Sequence, residues 1–94
     1  MTRRRVVVTG RVQGVFFRDS VRRMAASGAV AGWVRNNADG TVEAAFEGPP
    51  DAVQALIHFC RHGPRGAVVE QVEERRRNRS ERPVFASSEG LRVL

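Results

Sequence analysis

The strongest constraint on the fold of this chain is a change of hydrophobic period near its N-terminus. From about Arg4 to Val12 the apolar residues alternate, as they do in a half-buried β-strand. From about Phe17 to Ser27 they recur every three to four residues, as they do on one face of an amphipathic helix. Gly10 and Gly14 mark the change. The sequence therefore predicts a strand, a glycine-containing loop and a helix in direct succession.

A hairpin is predicted after this helix. Val30 to Arg35 and Thr41 to Glu47 alternate as paired strands, and Asp39-Gly40 between them is a strong turn signal. In the second of these strands, the residues expected to face the core are Val42, Ala44 and Phe46, and those expected to face out are Glu43 and Glu47.

The second half of the chain predicts another helix and two strands. Pro50 and Asp51 suit a helix N-terminus, and Gly63-Pro64 ends the pattern. Val72 is out of register with the alternating Ala67 and Val69 of the next strand, so we expect a bulge or bend there. Residues 91–94 form a short last strand. The order βαββαβ predicts an α+β, ferredoxin-like split-βαβ sandwich, with two helices on one face of a mainly antiparallel sheet, as a single domain over residues 1–94.

Composition favours a globular protein of the cytoplasm. The chain has 94 residues and a net charge of +6, and all 16 of its basic residues are arginine. Such a charge attracts small anions as well as polyanions. The single cysteine, Cys60, cannot form an internal disulfide, and no apolar run approaches the roughly 20 residues that span a bilayer. We expect a monomer with no membrane contact.

The junction between the first strand and the first helix suits an anion. Backbone N–H groups and the helix dipole favour negative charge there, and the guanidinium of Arg18 matches phosphate oxygens. The loop lacks the Gly-Lys-Ser/Thr ending of a P-loop and is not GxGxxG, and Val12 stands where a cysteine-dependent phosphatase needs its thiolate. The residues alone leave a second interpretation open, in which the glycines ease a bend and Arg18 is solvated.

Two sequence blocks resemble a known family. The run from Gly10 to Arg18 matches the GxVQGVxFR signature of the acylphosphatases at every fixed position, and the run from Gly32 to Glu43 resembles their GWVRN-xx-DG-x-VE segment. The resemblance implies the ferredoxin-like fold and hydrolysis of small acyl phosphates to a carboxylate and inorganic phosphate by direct attack of water. It implies no cofactor and no metal, and inorganic phosphate is expected to act as product and inhibitor.

The resemblance also implies the roles of individual residues. Arg18 matches the catalytic, phosphate-binding arginine, and Asn36 matches the asparagine that orients the attacking water. The backbone expected to complete the phosphate cradle is that of Gln13, Gly14, Val15, Phe16, Phe17 and Arg18. The chain departs from the family near its C-terminus, where Leu91 replaces a frequent aromatic residue. We expect this departure to affect local packing and not the site.

Other functions are less well supported by the residues. A nucleic-acid-binding or accessory module of the same fold is the alternative, but RNA-recognition motifs stack bases on strand aromatics, and the first strand here has none. The mixed-charge tract at 73–82 is expected to be a solvated strand extension or loop. His58 and His62 have the spacing of a metal pair without a third ligand, so we expect them to be surface residues. Cys60 is expected in the core, and Trp33 as an apolar contact beside the hairpin.

Overall fold

The computed structural model describes residues 1–75 and 90–94. Over these residues the elements are β1 (Thr2–Arg11), α1 (Phe17–Ser27), β2 (Ala31–Asn36), β3 (Val42–Gly48), α2 (Pro50–His62), β4 (Val68–Arg75) and β5 (Leu91–Val93). The predicted order is confirmed, and strand bounds differ from the predicted ones by one or two residues. In the mixed-charge tract, residues 73–75 extend β4 as expected, and residues 76–82 lie outside the described residues.

The strands form one mixed sheet in the order β4-β1-β3-β2-β5. All pairs are antiparallel except β2 and β5, which run parallel. Helix α1 packs against β2 and β5, and α2 packs against β1 and β4, so the two helices cover one face of the sheet. This arrangement confirms the ferredoxin-like sandwich. Because α1 packs against β2 and β5, this arrangement also places the N-terminus of α1 beside the end of β2.

The core lies between the helices and the sheet. The three positions of β3 that were expected to face the core, and Cys60, are buried there, and Met24 packs against them only partly buried. The other buried residues of the core include Val6, Val8, Val12, Phe17, Val21, Ala25, Val53, Leu56 and Ile57. The helix ends follow local chemistry. Pro50 is the first residue of α2, where the missing N–H of proline leaves no hydrogen bond unmade, and Gly63 with φ +71° follows its last turn.

The predicted irregularity in β4 is a bulge. Thr9 lies opposite Gln71 and Gly10 opposite Val69, so Glu70 is the extra residue. The bulge shifts the side-chain alternation by one, and Val69 and Val72 therefore both pack against the core. Gly10 is required at this point: its φ is +130°, and a Cβ atom on it would lie 2.1 Å from the backbone oxygen of Val68.

The burial of Glu43 differs from the prediction for the outward face of β3. Its side chain lies on the face opposite the helices, as alternation requires, but the residue is only 4% exposed. Arg5 and Arg35 form ion pairs with it, and Asn37 Nδ2 donates a hydrogen bond to Oε1. Burial acts to raise the pKa of Glu43, but the hydrogen bonds from these three partners outweigh burial, and the net pKa lies below its ordinary value.

Trp33 lies beside this cluster on the same open face of the sheet. Its ring centroid is 4.8 Å from the guanidinium carbon of Arg35 and 5.7 Å from that of Arg5. The ring therefore makes cation–π contacts as well as the expected apolar contact with the sheet. The two arginines thus connect Trp33 to the buried carboxylate of Glu43, and the end of β2 is anchored on this face.

Candidate active site

The loop between β1 and α1 ends in a left-handed turn that starts the helix. Gly14 has φ +75°, and Phe16, the N-cap residue of α1, has φ +60°. The amides of the first turn of a helix have no acceptors within the helix. Among the described residues no side chain caps α1 in their place. These N–H groups and the positive end of the helix dipole point out of the N-terminus of α1 and provide donors for an anion.

Arg18 is the second residue of α1, and Leu94, the residue after β5, holds its side chain. Arg18 Nη1 donates a hydrogen bond of 2.8 Å to the backbone oxygen of Leu94. The Leu94 amide in turn donates to the backbone oxygen of Val34 in β2, also at 2.8 Å. A guanidinium carries five N–H donors in a planar fork. The bond to Leu94 therefore orients Arg18 and leaves further donors for a ligand.

Asn36 is the last residue of β2, where it lies opposite Val42 of β3. Its side chain is exposed and makes no hydrogen bond within the described part of the chain. The adjacent Asn37 differs, because its Nδ2 donates to Thr41 Oγ1 and to Glu43 Oε1, each at 3.0 Å. Of the two neighbouring asparagines, Asn36 is therefore the one whose amide has no hydrogen-bond partner among the described residues.

The turn after Asn36 is built by its own side chains. Asp39 Oδ1 accepts hydrogen bonds from the hydroxyl of Thr41 at 2.7 Å and from its amide at 3.0 Å. The hydrogen bond from the Thr41 hydroxyl is the main cause that lowers the pKa of Asp39. Gly40 has φ +93°, which suits the turn. The predicted turn at Asp39-Gly40 is confirmed.

A cavity of about 280 Å³ lies between the N-terminus of α1, the end of β2 and β5. The residues that line it are Val12, Gly14, Phe16, Phe17, Arg18, Asp19, Asn36 and Val93. The cavity thus brings together Arg18 and Asn36, which are 18 positions apart in the sequence. A space of this size, with a cation, free amides and apolar walls, suits a small anionic ligand.

Four of the six predicted cradle residues line this cavity, and two do not. Gly14, Phe16, Phe17 and Arg18 are lining residues. Val15 packs against the hydrophobic core. The side chain of Gln13 turns towards the β2–β3 hairpin, where its Nε2 donates to the backbone oxygens of Asn37 at 2.8 Å and of Thr41 at 3.0 Å. The predicted role of their backbone amides stays a prediction.

The contribution of β5 and Leu94 to the cavity was not predicted from the sequence. Val93 lines the cavity, and the backbone oxygen of Leu94 accepts the hydrogen bond from Arg18. Leu91, where the chain departs from the family, packs against the core and does not line the cavity, so the expectation that this departure affects packing and not the site stays a prediction. No local signal in residues 91–94 indicates the contact of Leu94 with Arg18, since the contact depends on the parallel pairing of β5 with β2.

Asp19 was also missed and places a carboxylate at the cavity wall. It forms ion pairs of 2.8 Å with both Arg22 and Arg23 on the next turn of α1. The hydrogen bond from Arg22 is the main cause that lowers the pKa of Asp19, so the carboxylate is ionised at neutral pH. The spacing of three and four residues is a recognisable signal for such pairs. The two arginines offset a negative charge that would otherwise oppose an anion beside Arg18.

The other reactive side chains lie away from this cavity. Cys60 is fully buried, and burial raises its pKa to about 12, so it is a thiol at neutral pH and not a nucleophile. His58 and His62 are exposed on α2, as expected, and the His62 ring contacts the backbone oxygen of His58. Among residues 1–75 and 90–94 no three histidine, cysteine, aspartate or glutamate side chains form a group that could hold a metal ion.

Fold and cavity together define a class of protein. It is a small α+β domain whose cavity brings together a helix N-terminus, an arginine and an amide that has no hydrogen-bond partner among the described residues, with no cysteine among the lining residues. The family model for acylphosphatases matches residues 4–87 of the chain. No helix in the described part of the chain is long and apolar enough to cross a membrane.

Relatives and solved structures agree with the family model. An acylphosphatase from Gloeobacter violaceus is 61% identical over 70 residues, which cover 74% of this chain and 75% of the relative. One from Rubrobacter xylanophilus is 51% identical over 95% of this chain and 76% of its own length. The structure of an acylphosphatase from Coxiella burnetii matches with a TM-score of 0.82 and 34% identity, over 99% of this chain and 92% of that one. The chain belongs to the acylphosphatase family and hydrolyses acyl phosphates.

Proposed function

We propose that the cavity at the N-terminus of α1 binds the phosphoryl group of a small acyl phosphate, and that Arg18 and Asn36 are the catalytic residues. The observation that carries the proposal is their convergence: a guanidinium and an uncommitted amide, from different elements, line one small cavity beside free helix amides. The expected cradle consists of the backbone amides from Gln13 to Arg18 together with the Arg18 side chain.

The leaving group makes this simple site sufficient. Cleavage of the bond between phosphorus and the acyl oxygen releases a carboxylate, which is a weak base and needs little protonation by a general acid. Phosphoryl transfer passes through a loose transition state whose charge lies on the equatorial oxygens. The protein therefore has to hold those oxygens and place a water in line with the leaving oxygen. N–H donors that are already oriented stabilise the developing charge without reorganisation.

Asn36 suits the second task. Its amide oxygen can accept a hydrogen bond from a water molecule, and its NH2 group can donate one. Neither group has a partner elsewhere in the described part of the chain. Water then attacks phosphorus directly, one of its oxygen–hydrogen bonds breaks, and the proton passes to solvent or phosphate as the carboxylate leaves. No covalent phosphoenzyme is part of this sequence.

Three further expectations belong to the same proposal. Inorganic phosphate should bind the cradle as the product and inhibit. Residues 1–94 should act as one domain and as a monomer, which light scattering on the purified chain would test. The absence of any need for a disulfide is consistent with a place in the cytoplasm. The alternative of a nucleic-acid-binding or accessory module is not favoured by the comparisons, and the open face that would bind RNA has Arg5 and Arg35 paired with Glu43.

Isotope labelling tests which bond breaks. Hydrolysis of acetyl phosphate in water enriched in oxygen-18 should place one labelled oxygen in inorganic phosphate and none in acetate, because water attacks phosphorus. Mass spectrometry of both products makes the measurement, with uncatalysed hydrolysis under the same conditions as the control. Label in acetate would show attack at the carbonyl carbon and contradict the proposed placement of water.

A second prediction concerns metals. Turnover of acetyl phosphate should be unchanged by EDTA, because the one carboxylate among the described lining residues, Asp19, is already paired with Arg22 and Arg23. Inorganic phosphate should raise KM without changing kcat. Steady-state kinetics with EDTA, and then with added magnesium, make the measurement. Activity that is lost in EDTA and restored by magnesium would overturn this account.

A further inference from the structure

We infer that the side chain of Gln13 is a positioning residue that sets the distance between the phosphate loop (residues 12–16) and Asn36. The inference rests on the roles proposed above for the loop and for Asn36. Gln13 does not line the cavity. Its side chain instead reaches the base of the β2–β3 turn, 24 and 28 positions away in the sequence, and donates to the backbone oxygens of Asn37 and Thr41.

The two hydrogen bonds use all the donors that the amide has. Nε2 of glutamine carries two hydrogens, and each is directed to one carbonyl oxygen, at 2.8 and 3.0 Å. A single hydrogen bond would let the side chain rotate about its axis, whereas two acceptors define both the distance and the direction. Gln13 therefore holds the loop against the turn in one orientation.

The two carbonyl oxygens that accept from Gln13 belong to the turn that directly follows Asn36. The amide of Asn37 donates to the oxygen of Thr41 at 2.8 Å, and the amide of Gly40 donates to the oxygen of Asn37 at 3.2 Å. These bonds close the turn directly after Asn36. On the other side, Asn37 bonds to Glu43, which Arg5 of β1 holds. The turn is thus a stiff unit, and movement of its base relative to the loop would move Asn36 relative to Arg18.

The sheet does not supply this connection. The ladder between β1 and β3 ends with Val8 opposite Val42, and Thr9 to Arg11 pair with β4 on the other side. Among the hydrogen bonds of the described residues, those of Gln13 are the ones that join the loop to the turn. A catalytic water needs placement to a fraction of an ångström, and a misplacement of about 1 Å can cost roughly 100-fold in rate.

The test is the variant Gln13→Met, which keeps the length of the side chain and removes its donors. Both carbonyl oxygens keep a backbone donor, from Asn37 and Gly40, so neither becomes unpaired and thermal unfolding should change little. We expect kcat for acetyl phosphate to fall about 10-fold, because the water is misplaced, while the inhibition constant of phosphate stays within about 3-fold, because Arg18 and the loop amides remain. Gln54→Met, the same change at an exposed position of α2, is the matched control and should leave kcat unchanged.

A double-mutant cycle separates positioning from a general structural role. In the background of Asn36→Ala, Gln13→Met should have almost no further effect on kcat, because the side chain that Gln13 positions is gone. Equal losses in both backgrounds, a wild-type kcat for Gln13→Met, or a loss of phosphate binding in proportion to kcat would each overturn the inference. If Gln13→Met does not fold, Gln13→Asn replaces it: the shorter amide cannot reach both carbonyl oxygens, and the same outcomes apply.

The cycle also distinguishes this inference from the proposed function. An Asn36→Ala protein with wild-type activity would overturn the role of Asn36 and with it the role of Gln13. An impaired Asn36→Ala protein beside a fully active Gln13→Met protein would overturn the role of Gln13 alone.

Discussion

Arg18→Gln should lower kcat for acetyl phosphate by about 10² to 10³-fold, the usual effect of losing one oriented donor at a developing charge. It should also raise the inhibition constant of phosphate about 10- to 100-fold, since hydrogen bonds to charged groups contribute roughly 1.5 to 3 kcal/mol. Both constants should change, because the guanidinium is proposed to contact the phosphoryl oxygens in the ground state and more strongly in the transition state. Steady-state kinetics with phosphate as inhibitor measure both.

Two controls make this result specific. Arg61→Gln removes the same charge from an exposed position on α2, where Arg61 pairs with Glu74, and should leave kcat and phosphate binding near wild type. A similar loss in both variants would mean that the overall field of the protein, and not Arg18, is responsible. Arg18 also holds the backbone of Leu94, so thermal unfolding of Arg18→Gln should be compared with wild type. An Arg18→Gln protein that is folded and fully active would contradict the assignment.

Asn36→Ala should lower kcat by at least as much, about 10² to 10³-fold, while phosphate binds as in the wild type. The proposed task of Asn36 is to hold the attacking water, which is absent when phosphate itself occupies the cradle. The variant should therefore separate catalysis from binding, whereas Arg18→Gln impairs both. Comparison of kcat with the phosphate inhibition constant makes the measurement.

The neighbouring asparagine provides the structural control. Asn36 makes no side-chain hydrogen bond within the described residues, so its replacement should leave thermal unfolding close to wild type. Asn37→Ala removes two donors from the turn and leaves Glu43 with one partner fewer, which should cost about 1 to 3 kcal/mol of unfolding free energy. A folded Asn36→Ala protein with normal phosphate binding and wild-type turnover would show that the water is placed by another group.

Local periodicity was enough to predict most of the fold, because the helices and strands are amphipathic and their apolar sides face the core. The stripe of α2 and the alternating valines of β1 are each set by side-chain direction along one element. Glu43 shows where this reasoning ends. Alternation correctly placed it opposite the helices, but its burial depends on Arg5 from β1 and Arg35 from β2, which become its neighbours only when three strands pair.

The candidate site divides in the same way. Arg18, Asn36 and the cradle positions could be named from the two sequence blocks because the resemblance attaches roles to positions. The role inferred for the Gln13 side chain could not be named from the sequence. Its acceptors are the carbonyl oxygens of Asn37 and Thr41, which lie 24 and 28 positions away along the chain. Backbone acceptors carry no sequence signature, and any residue at 37 or 41 would offer the same oxygen.

The sequence by itself determined the order of elements, an irregularity in β4, the turn at Asp39-Gly40 and the family, because each follows from the local hydrophobic period, from turn-forming residues or from a continuous motif. The tertiary structure decided which groups share the cavity. Val93 and the oxygen of Leu94 meet Arg18 only because β5 pairs in parallel with β2 beneath α1. The tertiary structure also decided that the Asn36 amide has no hydrogen-bond partner within residues 1–75 and 90–94, whereas the Asn37 amide donates to Thr41 and Glu43. The physical reason is that hydrogen-bond partners are assigned by distance in space, and distance between separate strands is a property of their packing.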